Sequence, residues 1–246
     1  MEKSAQRQRI RKALILISFL FFPVSLYYFS PALIIEGAAK GIAVGSFIVF
    51  SLQLITSLLL GRAFCGWMCP GAGLQEACFS IKNKHVRENK LRLIKYFIWV
   101  PWISLIAWLA IKKGGFNLIE PLYGTTSGIS LSDLQSFIIY YIVVGLITLT
   151  AFLFGKRAFC HYLCWMAPFM VIGQIIREKL RLPGLRLKAN SHNCSSCQKC
   201  NSVCPMSLNV HGMVKSNSMS NVDCILCGTC IDSCSNKALS YRLFRY

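Results

Sequence analysis

Long apolar segments, separated by polar and basic ones, fill the first two thirds of the chain. Four of them approach the ~20 residues that a helix needs to cross a hydrocarbon core. They are residues 13–35, 41–60, 93–111 and 136–155. We therefore expect four transmembrane helices, the first kinked or ending early because it contains Pro23 and Pro31. A fifth segment, residues 165–176, is too short to span and is expected to lie at the interface or against the bundle.

The distribution of basic residues predicts the orientation of this bundle. With four spans both termini share one side, and all but three of the 27 Lys and Arg residues lie on that side. The exceptions are Lys40, Lys112 and Lys113. Because cytoplasmic loops carry the excess of Lys and Arg, we expect an inner (cytoplasmic) membrane protein with both termini in the cytoplasm.

Composition supports the same class of protein. A hydrophobic content of 54% and a mean hydropathy of +0.51 favour a membrane protein. The net charge of +18 is explained by the topology and by attraction to the anionic headgroups of the lipid bilayer. No nucleic-acid-binding motif accompanies this charge, so no nucleic-acid partner is expected.

Eight of the 13 cysteines form two runs with one spacing, Cys-x2-Cys-x2-Cys-x3-Cys. This spacing is typical of proteins that bind two [4Fe–4S] clusters, in which the last cysteine of each run ligates the other cluster. Zinc sites more often use two separated pairs, and disulfide frameworks belong to secreted domains. The predicted metal ligands are Cys194, Cys197, Cys200 and Cys234 for the first cluster, and Cys224, Cys227, Cys230 and Cys204 for the second.

These segments predict a mainly α fold in three parts. Residues 1–176 are expected to form the four-transmembrane-helix bundle, and residues 177–190 a basic linker that turns at Pro183 and Gly184. Residues 191–246 are expected to form a small ferredoxin-like α+β domain with two clusters. Its tail, residues 239–246, is predicted to pair as a short strand and cover the second cluster.

An internal repeat, Arg-Ala-Phe-Cys-x3-Cys, follows the second and the fourth predicted span. It contains Cys65 and Cys69 in the first copy, and Cys160 and Cys164 in the second. Cysteines at i and i+4 project from one face of a helix, and a parallel duplication would bring the two pairs together. These thiols could bind metal, do redox chemistry or fill a helix interface. The lone Cys78 is interpreted as structural.

The whole arrangement resembles the NapH-type membrane ferredoxins and their NosR and CcoG relatives. The stretches that carry the resemblance are residues 61–70, 157–164, 193–205 and 223–236. It implies an inner-membrane protein that moves electrons between a quinol or a cytoplasmic donor and a partner redox protein. The family motif reads Cys-x3-Cys-Pro, and Pro70 fits it, whereas Trp165 follows Cys164.

The leading hypothesis is therefore a quinol-linked electron-transfer subunit, and the alternative is a cupric or other metal reductase or assembly factor that uses the membrane-edge cysteines. A third hypothesis is a structural anchor that docks a soluble redox protein. No haem is expected, because none of the four predicted spans contains a histidine. Polar groups near the membrane edge that could serve quinol chemistry are Glu76, Gln75, His161, Gln174 and Gln53. The catalytic candidates are Cys65, Cys69, Cys160, Cys164, His161 and Glu76.

Overall fold

The computed structural model describes residues 2–86 and 90–244. Arg87, Arg245 and Tyr246, on which parts of the topology and strand predictions fall, lie outside these residues. Within them the fold is mainly helical. The α-helices are α1 (Glu2–Leu20), α2 (Phe22–Ser25), α3 (Pro31–Lys40), α4 (Gly45–Leu60), α5 (Ala63–Trp67), α6 (Pro70–Ala77), α7 (Ile94–Lys113), α8 (Leu134–Phe154), α9 (Ala158–Tyr162), α10 (Ala167–Lys179), α11 (Lys199–Ser202), α12 (Val210–Lys215) and α13 (Thr229–Asp232).

Two helices are long and apolar enough to cross a membrane, the segments Leu91–Lys113 and Leu134–Phe154. A third candidate is the bent pair Ala5–Leu20 and Phe22–Phe29, whose axes differ by 58°. The apolar helix α4 has only 16 residues. The described residues therefore contain two candidate spans, or three if the bent pair counts as one. The four full-length spans predicted from hydropathy are not confirmed.

Backbone breaks explain why the first two apolar segments give shorter helices than predicted. Pro23 lies in the first turn of α2, and Pro31 begins α3 after Ser30, whose hydroxyl accepts a hydrogen bond from the backbone N–H of Leu33. Gly41 then ends α3 with a φ of 75°, a left-handed conformation that glycine adopts without a steric penalty. The kink predicted at the prolines is confirmed.

Two small sheets complete the fold. Strands β1 (Ile42–Val44) and β2 (Leu118–Glu120) pair in parallel. Strands β3 (Gly184–Ala189) and β4 (Leu239–Phe244) pair antiparallel over six residues each. The predicted tail strand is thus confirmed for the described residues. Most of the segment expected to be a linker is instead the end of α10 and strand β3, which belongs to the same sheet as the tail.

One continuous core joins the two parts of the chain. Helix α10 packs along α4, as expected for the short fifth apolar segment, and α6 packs against α1 and α8. Buried residues of the membrane part, such as Phe50 and Cys65, belong to the same apolar cluster as Ile225 and Cys227 of the C-terminal part. The C-terminal domain therefore packs directly on the membrane half, and the candidate site lies at that junction.

Candidate redox site

The eight C-terminal cysteines line two separate cavities, four in each. They enclose about 360 and 380 Å³ of space between protein atoms, part of it open to solvent. Each set combines three cysteines of one run with one of the other, which is the crossed arrangement expected from the spacing. Cys194, Cys197, Cys200 and Cys234 line the first cavity, and Cys204, Cys224, Cys227 and Cys230 line the second.

The backbone around the middle cysteine of each run explains how three thiols converge. The residues before and after that cysteine adopt left-handed conformations in both runs: Ser196 and Gln198 with φ of 59° and 58°, Leu226 and Gly228 with φ of 50° and 74°. These turns reverse the chain between successive cysteines. A short helix, α11 or α13, then presents the third cysteine to the same cavity.

The two cavities fit a polynuclear cluster better than one ion. Within residues 2–86 and 90–244, no group of three or more His, Cys, Asp or Glu side chains is placed to hold a single metal ion. A cubane instead takes one thiolate at each of four corners. Burial raises the pKa of Cys204 to about 11, so this sulfur needs positive charge beside it to be a thiolate at neutral pH.

The two cavities differ in their exposure. Cys197 of the first cavity is exposed, and its three neighbours are half-buried. Three of the four cysteines of the second cavity are buried. The first cavity therefore faces the outside of the C-terminal domain, and the second faces the membrane half.

The loop that carries the second cavity is held against the first repeat. The indole N–H of Trp67 donates to the carbonyl oxygen of Leu226 at 3.1 Å. The neighbouring Gly66 lies so close to the carbonyl oxygen of Ile225 that a Cβ there would clash. From the opposite side, the hydroxyl of Tyr241 on β4 donates to the same Leu226 oxygen at 2.7 Å.

The N-terminal arm, which the sequence did not mark as part of the site, also holds this loop. The amide of Gln8 donates to the Cys227 carbonyl at 3.0 Å, and Arg7 Nε donates to Asp232 at 3.1 Å. The guanidinium of Arg7 lies 5.1 Å from the centre of the Tyr241 ring. The excess of basic residues before the first span was the available signal, but it does not identify their partners.

The structure brings the four membrane-edge cysteines together. All four are buried, and Cys65 Sγ lies 3.7 Å from the sulfur of Met170. Burial raises the pKa of Cys69 well above its ordinary value, and the thiolates of Cys65, Cys160 and Cys164 raise it further. This mutual influence requires the two pairs to be neighbours.

Gln75, a candidate polar group, connects the two repeats. Its side-chain N–H donates to Cys160 Sγ at 3.2 Å, and its oxygen accepts from the backbone N–H of Phe159 at 3.1 Å. Gln75 is fully buried. It therefore fixes the position of the second cysteine pair relative to α6.

Glu76 lies between two buried arginines. Arg11 donates to its two carboxylate oxygens at 2.9 and 2.7 Å, and Arg157 donates from Nε at 3.1 Å and from Nη2. Burial raises the pKa of Glu76, but the two guanidinium groups outweigh it and lower the pKa to about 2. A carboxylate with this pKa is a poor proton acceptor at neutral pH. The arrangement ties α1, α6 and α9 together.

The other polar candidates divide into helix contacts and one unpaired ring. Gln53 lies 3.6 Å from the Met166 sulfur, and Gln174 donates to the Asn221 carbonyl at 3.2 Å. His161 is fully buried, and neither ring nitrogen has a hydrogen-bond partner among the described residues. Burial lowers its pKa to about 3, so the ring is neutral at physiological pH.

Comparison with known proteins defines the class first. Residues 42–87 and 137–183 match the model of a family described as a 4Fe-4S binding domain. These two regions contain the two repeats, and the eight C-terminal cysteines lie outside them. The chain is a ferredoxin-type iron–sulfur protein of electron transport with candidate membrane helices.

Three relatives refine this. The chain is 29% identical to the protein MJ0750 of Methanocaldococcus jannaschii, over 98% of the chain and 97% of that relative. It is 24% identical to MJ0749 of the same organism, over 92% and 84%. It is 26% identical to the ferredoxin-type protein NapH of Haemophilus influenzae, over 77% of the chain and 65% of NapH. The predicted resemblance to the NapH-type family is confirmed. No solved structure matches the chain.

Proposed function

We propose that this protein is a multi-pass inner-membrane electron carrier that links the quinol pool, or a cytoplasmic donor, to a partner redox protein. The eight cysteines that line the two cavities would hold two [4Fe–4S] clusters, each of which accepts or donates one electron. A quinol gives up two electrons and two protons, so the two clusters together can accept the pair. Both termini and both clusters would face the cytoplasm.

The observation that carries this proposal is the order of the two cavities. The second rests on Gly66 and Trp67 of the first repeat, while the first, with Cys197, is open to solvent. Such an order suits a path from the membrane edge, through the second cluster and the first, to a soluble partner. A docking protein would contact the exposed side of the first cluster.

A groove at the membrane edge offers a place for the quinol ring. It lies between α1 and α6, with an apolar wall formed by Ile15, Leu16 and Phe79 and with Lys12 and Ser80 among its polar groups. Glu76 also lines the groove, but its low pKa makes it a counter-ion to the arginines rather than the proton acceptor. We assign the groove, rather than Glu76, as the candidate quinol site.

The test is the reoxidation of reduced clusters by a soluble quinone analogue. In anaerobically purified, reduced protein, the analogue should abolish the reduced-cluster EPR signal within seconds, whereas no response over minutes would contradict a quinol link. Leu16→Trp should fill the groove and slow this reaction, while oxidation by ferricyanide stays fast. Leu14→Trp is the matched control, since Leu14 is similarly exposed on the same helix but does not line the groove.

One observation favours a second function, the handling of a soft metal ion. Met170 Sδ lies 3.7 Å from Cys65 Sγ, which adds a thioether to the four buried thiols. Thiolate and thioether ligands select Cu(I). In this case Cu(II) should oxidise the reduced clusters rapidly, and Met170→Leu should slow that reaction without changing the reaction with quinone.

A further inference from the structure

We propose that Cys65, Cys69, Cys160 and Cys164 hold a third iron–sulfur cluster, a [4Fe–4S] centre at the membrane edge beside the second C-terminal cavity. This inference goes beyond the proposed function, which requires only the eight C-terminal cysteines. It rests on the placement of the thiols, on the charge around them and on the contact with the Cys224–Cys227 loop.

The four thiols form a built and enclosed site. Each is 4 or 5% exposed. The first pair is fixed by Arg157, whose Nη1 donates to the Cys65 carbonyl at 2.6 Å. The second pair is fixed by Gln75, which hydrogen-bonds both Cys160 Sγ and the Phe159 backbone. Residues of each repeat therefore hold the cysteines of the other, as expected for one shared centre.

The charge around this site is positive and only partly balanced. Five cations adjoin two carboxylates, an excess of three positive charges in a region where most of these side chains are shielded from water. The cations are Arg11, Arg62, Arg92, Lys95 and Arg157, and the carboxylates are Glu76 and Asp223. Uncompensated buried charge is strongly unfavourable, so this excess requires an anion.

Arg62 points to where that anion lies. It is fully buried, and only its Nη1 is paired, with Asp223 and the Val222 carbonyl. Its Nε and Nη2 have no hydrogen-bond partner among the described residues. Although burial lowers its pKa, the thiolate of Cys65 contributes most to raising it, together with Asp223 and the thiolates of Cys160 and Cys164. Four neutral thiols would leave this guanidinium uncompensated.

A tetrathiolate cubane matches the missing charge, since the core and its ligands together carry a net charge of about −2 or −3. The alternatives fit less well. None of the cysteines forms a disulfide, and no three ligands in the described part of the chain converge on a single ion. A single Cu(I) with two thiolates would supply about one negative charge. Gly66, which adjoins Cys65, meets the Ile225 backbone, so such a cluster would adjoin the second one.

Metal analysis of the full chain, purified anaerobically in detergent, tests this directly. We expect about twelve irons and about twelve acid-labile sulfides per chain, against about eight for two clusters. The double variant Cys65→Ser, Cys160→Ser should lose about four irons and keep the EPR signals of the two C-terminal clusters. The matched control is Cys78→Ser, a buried cysteine beside α6 that belongs to no cluster and should retain all twelve.

The wild-type measurement decides even if the double variant does not accumulate. About eight irons in the wild type, or stoichiometric copper or zinc released only by the Cys65 and Cys160 changes, would overturn the inference. The reciprocal variant, Cys197→Ser with Cys227→Ser, separates it from the proposed function. If that variant keeps about four irons the third cluster exists on its own, and if it keeps none while the wild type holds eight only the two-cluster proposal stands.

Discussion

Arg62 donates a hydrogen bond from Nη1 to Oδ1 of Asp223 at 2.8 Å, with both side chains buried. Arg62 is the first residue of the first repeat, and Asp223 directly precedes Cys224 of the second cavity. The same carboxylate also meets Lys95 at 3.3 Å and Arg92 at 3.6 Å. One side chain of the C-terminal domain thus neutralises cations from two segments of the membrane half, which fixes the second cavity at the membrane edge.

Asp223→Asn should therefore weaken the attachment of the C-terminal domain. Removing one partner of a buried ion pair leaves its cations uncompensated, at a cost of about 3–5 kcal/mol. We expect a lower unfolding midpoint in detergent and partial loss of the EPR signal of the second cluster, with the signal of the first cluster retained.

Glu36→Gln is the matched control for that variant. Glu36 pairs with Lys40 at 2.8 Å, but about half of each side chain is exposed, and surface ion pairs contribute little to stability. This variant should behave like the wild type. Equal midpoints for Asp223→Asn and Glu36→Gln would show that the buried cluster does not hold the domain.

Glu76→Gln tests the other buried charge cluster. The carboxylate has a folded pKa of about 2, below its ordinary value of 4.5, so its contribution to stability is present above pH 4.5 and is lost as the pH falls towards 2. We expect the variant to be less stable at pH 7 by on the order of 3 kcal/mol. The difference from the wild type should shrink below about pH 4.5.

Thermal unfolding of both proteins side by side measures this, because acid loss of the clusters affects both and cancels in the difference. If Glu76 were instead the proton acceptor for quinol, Glu76→Gln would slow quinone reduction at unchanged stability. That outcome would contradict the structural role given to the carboxylate.

Variants of one ligand from each cavity test the proposed order of the clusters. Cys197→Ala should remove the first cluster, about four irons per chain, and leave reoxidation of the second by quinone unchanged. Cys227→Ala should remove the second cluster and slow reoxidation of the first by about an order of magnitude or more, because the electron then has no intermediate carrier. Stopped-flow absorbance of the reduced proteins measures both rates. Equal slowing in the two variants would argue against a linear path.

The features that the sequence predicted are those encoded by short-range spacing. The two cysteine runs determine which thiols can share a cavity, and the two repeats determine that Cys65 and Cys160 are equivalent. The strand β3 had a signal as well, since Leu185, Leu187 and Ala189 alternate with basic residues. Reading that stretch as a linker gave too much weight to its charge and too little to its period of two.

The features that the sequence could not predict depend on distant partners or on local breaks within apolar segments. Arg11 and Glu76 are 65 residues apart, and Arg62 and Asp223 are 161 residues apart. No periodicity encodes such pairs. Hydropathy averages over a window, so it does not register that Gly41 and strand β1 end one helix and delay the next. This is why four full spans were predicted and two or three are present in the described residues.

Tyr241 provides the last prediction, which concerns the potential of the second cluster. Its ring packs over Gly228, where a Cβ would meet the Tyr241 hydroxyl, and its hydroxyl donates to the Leu226 carbonyl. Tyr241→Ala should expose the second cavity to water, which stabilises the more highly charged reduced state and raises the cluster potential by on the order of tens of mV. Tyr241→Phe, which keeps the ring, should change the potential much less. EPR-monitored redox titration of both variants distinguishes shielding by the ring from an effect of the hydroxyl, and an equal shift in both would assign the effect to the hydrogen bond.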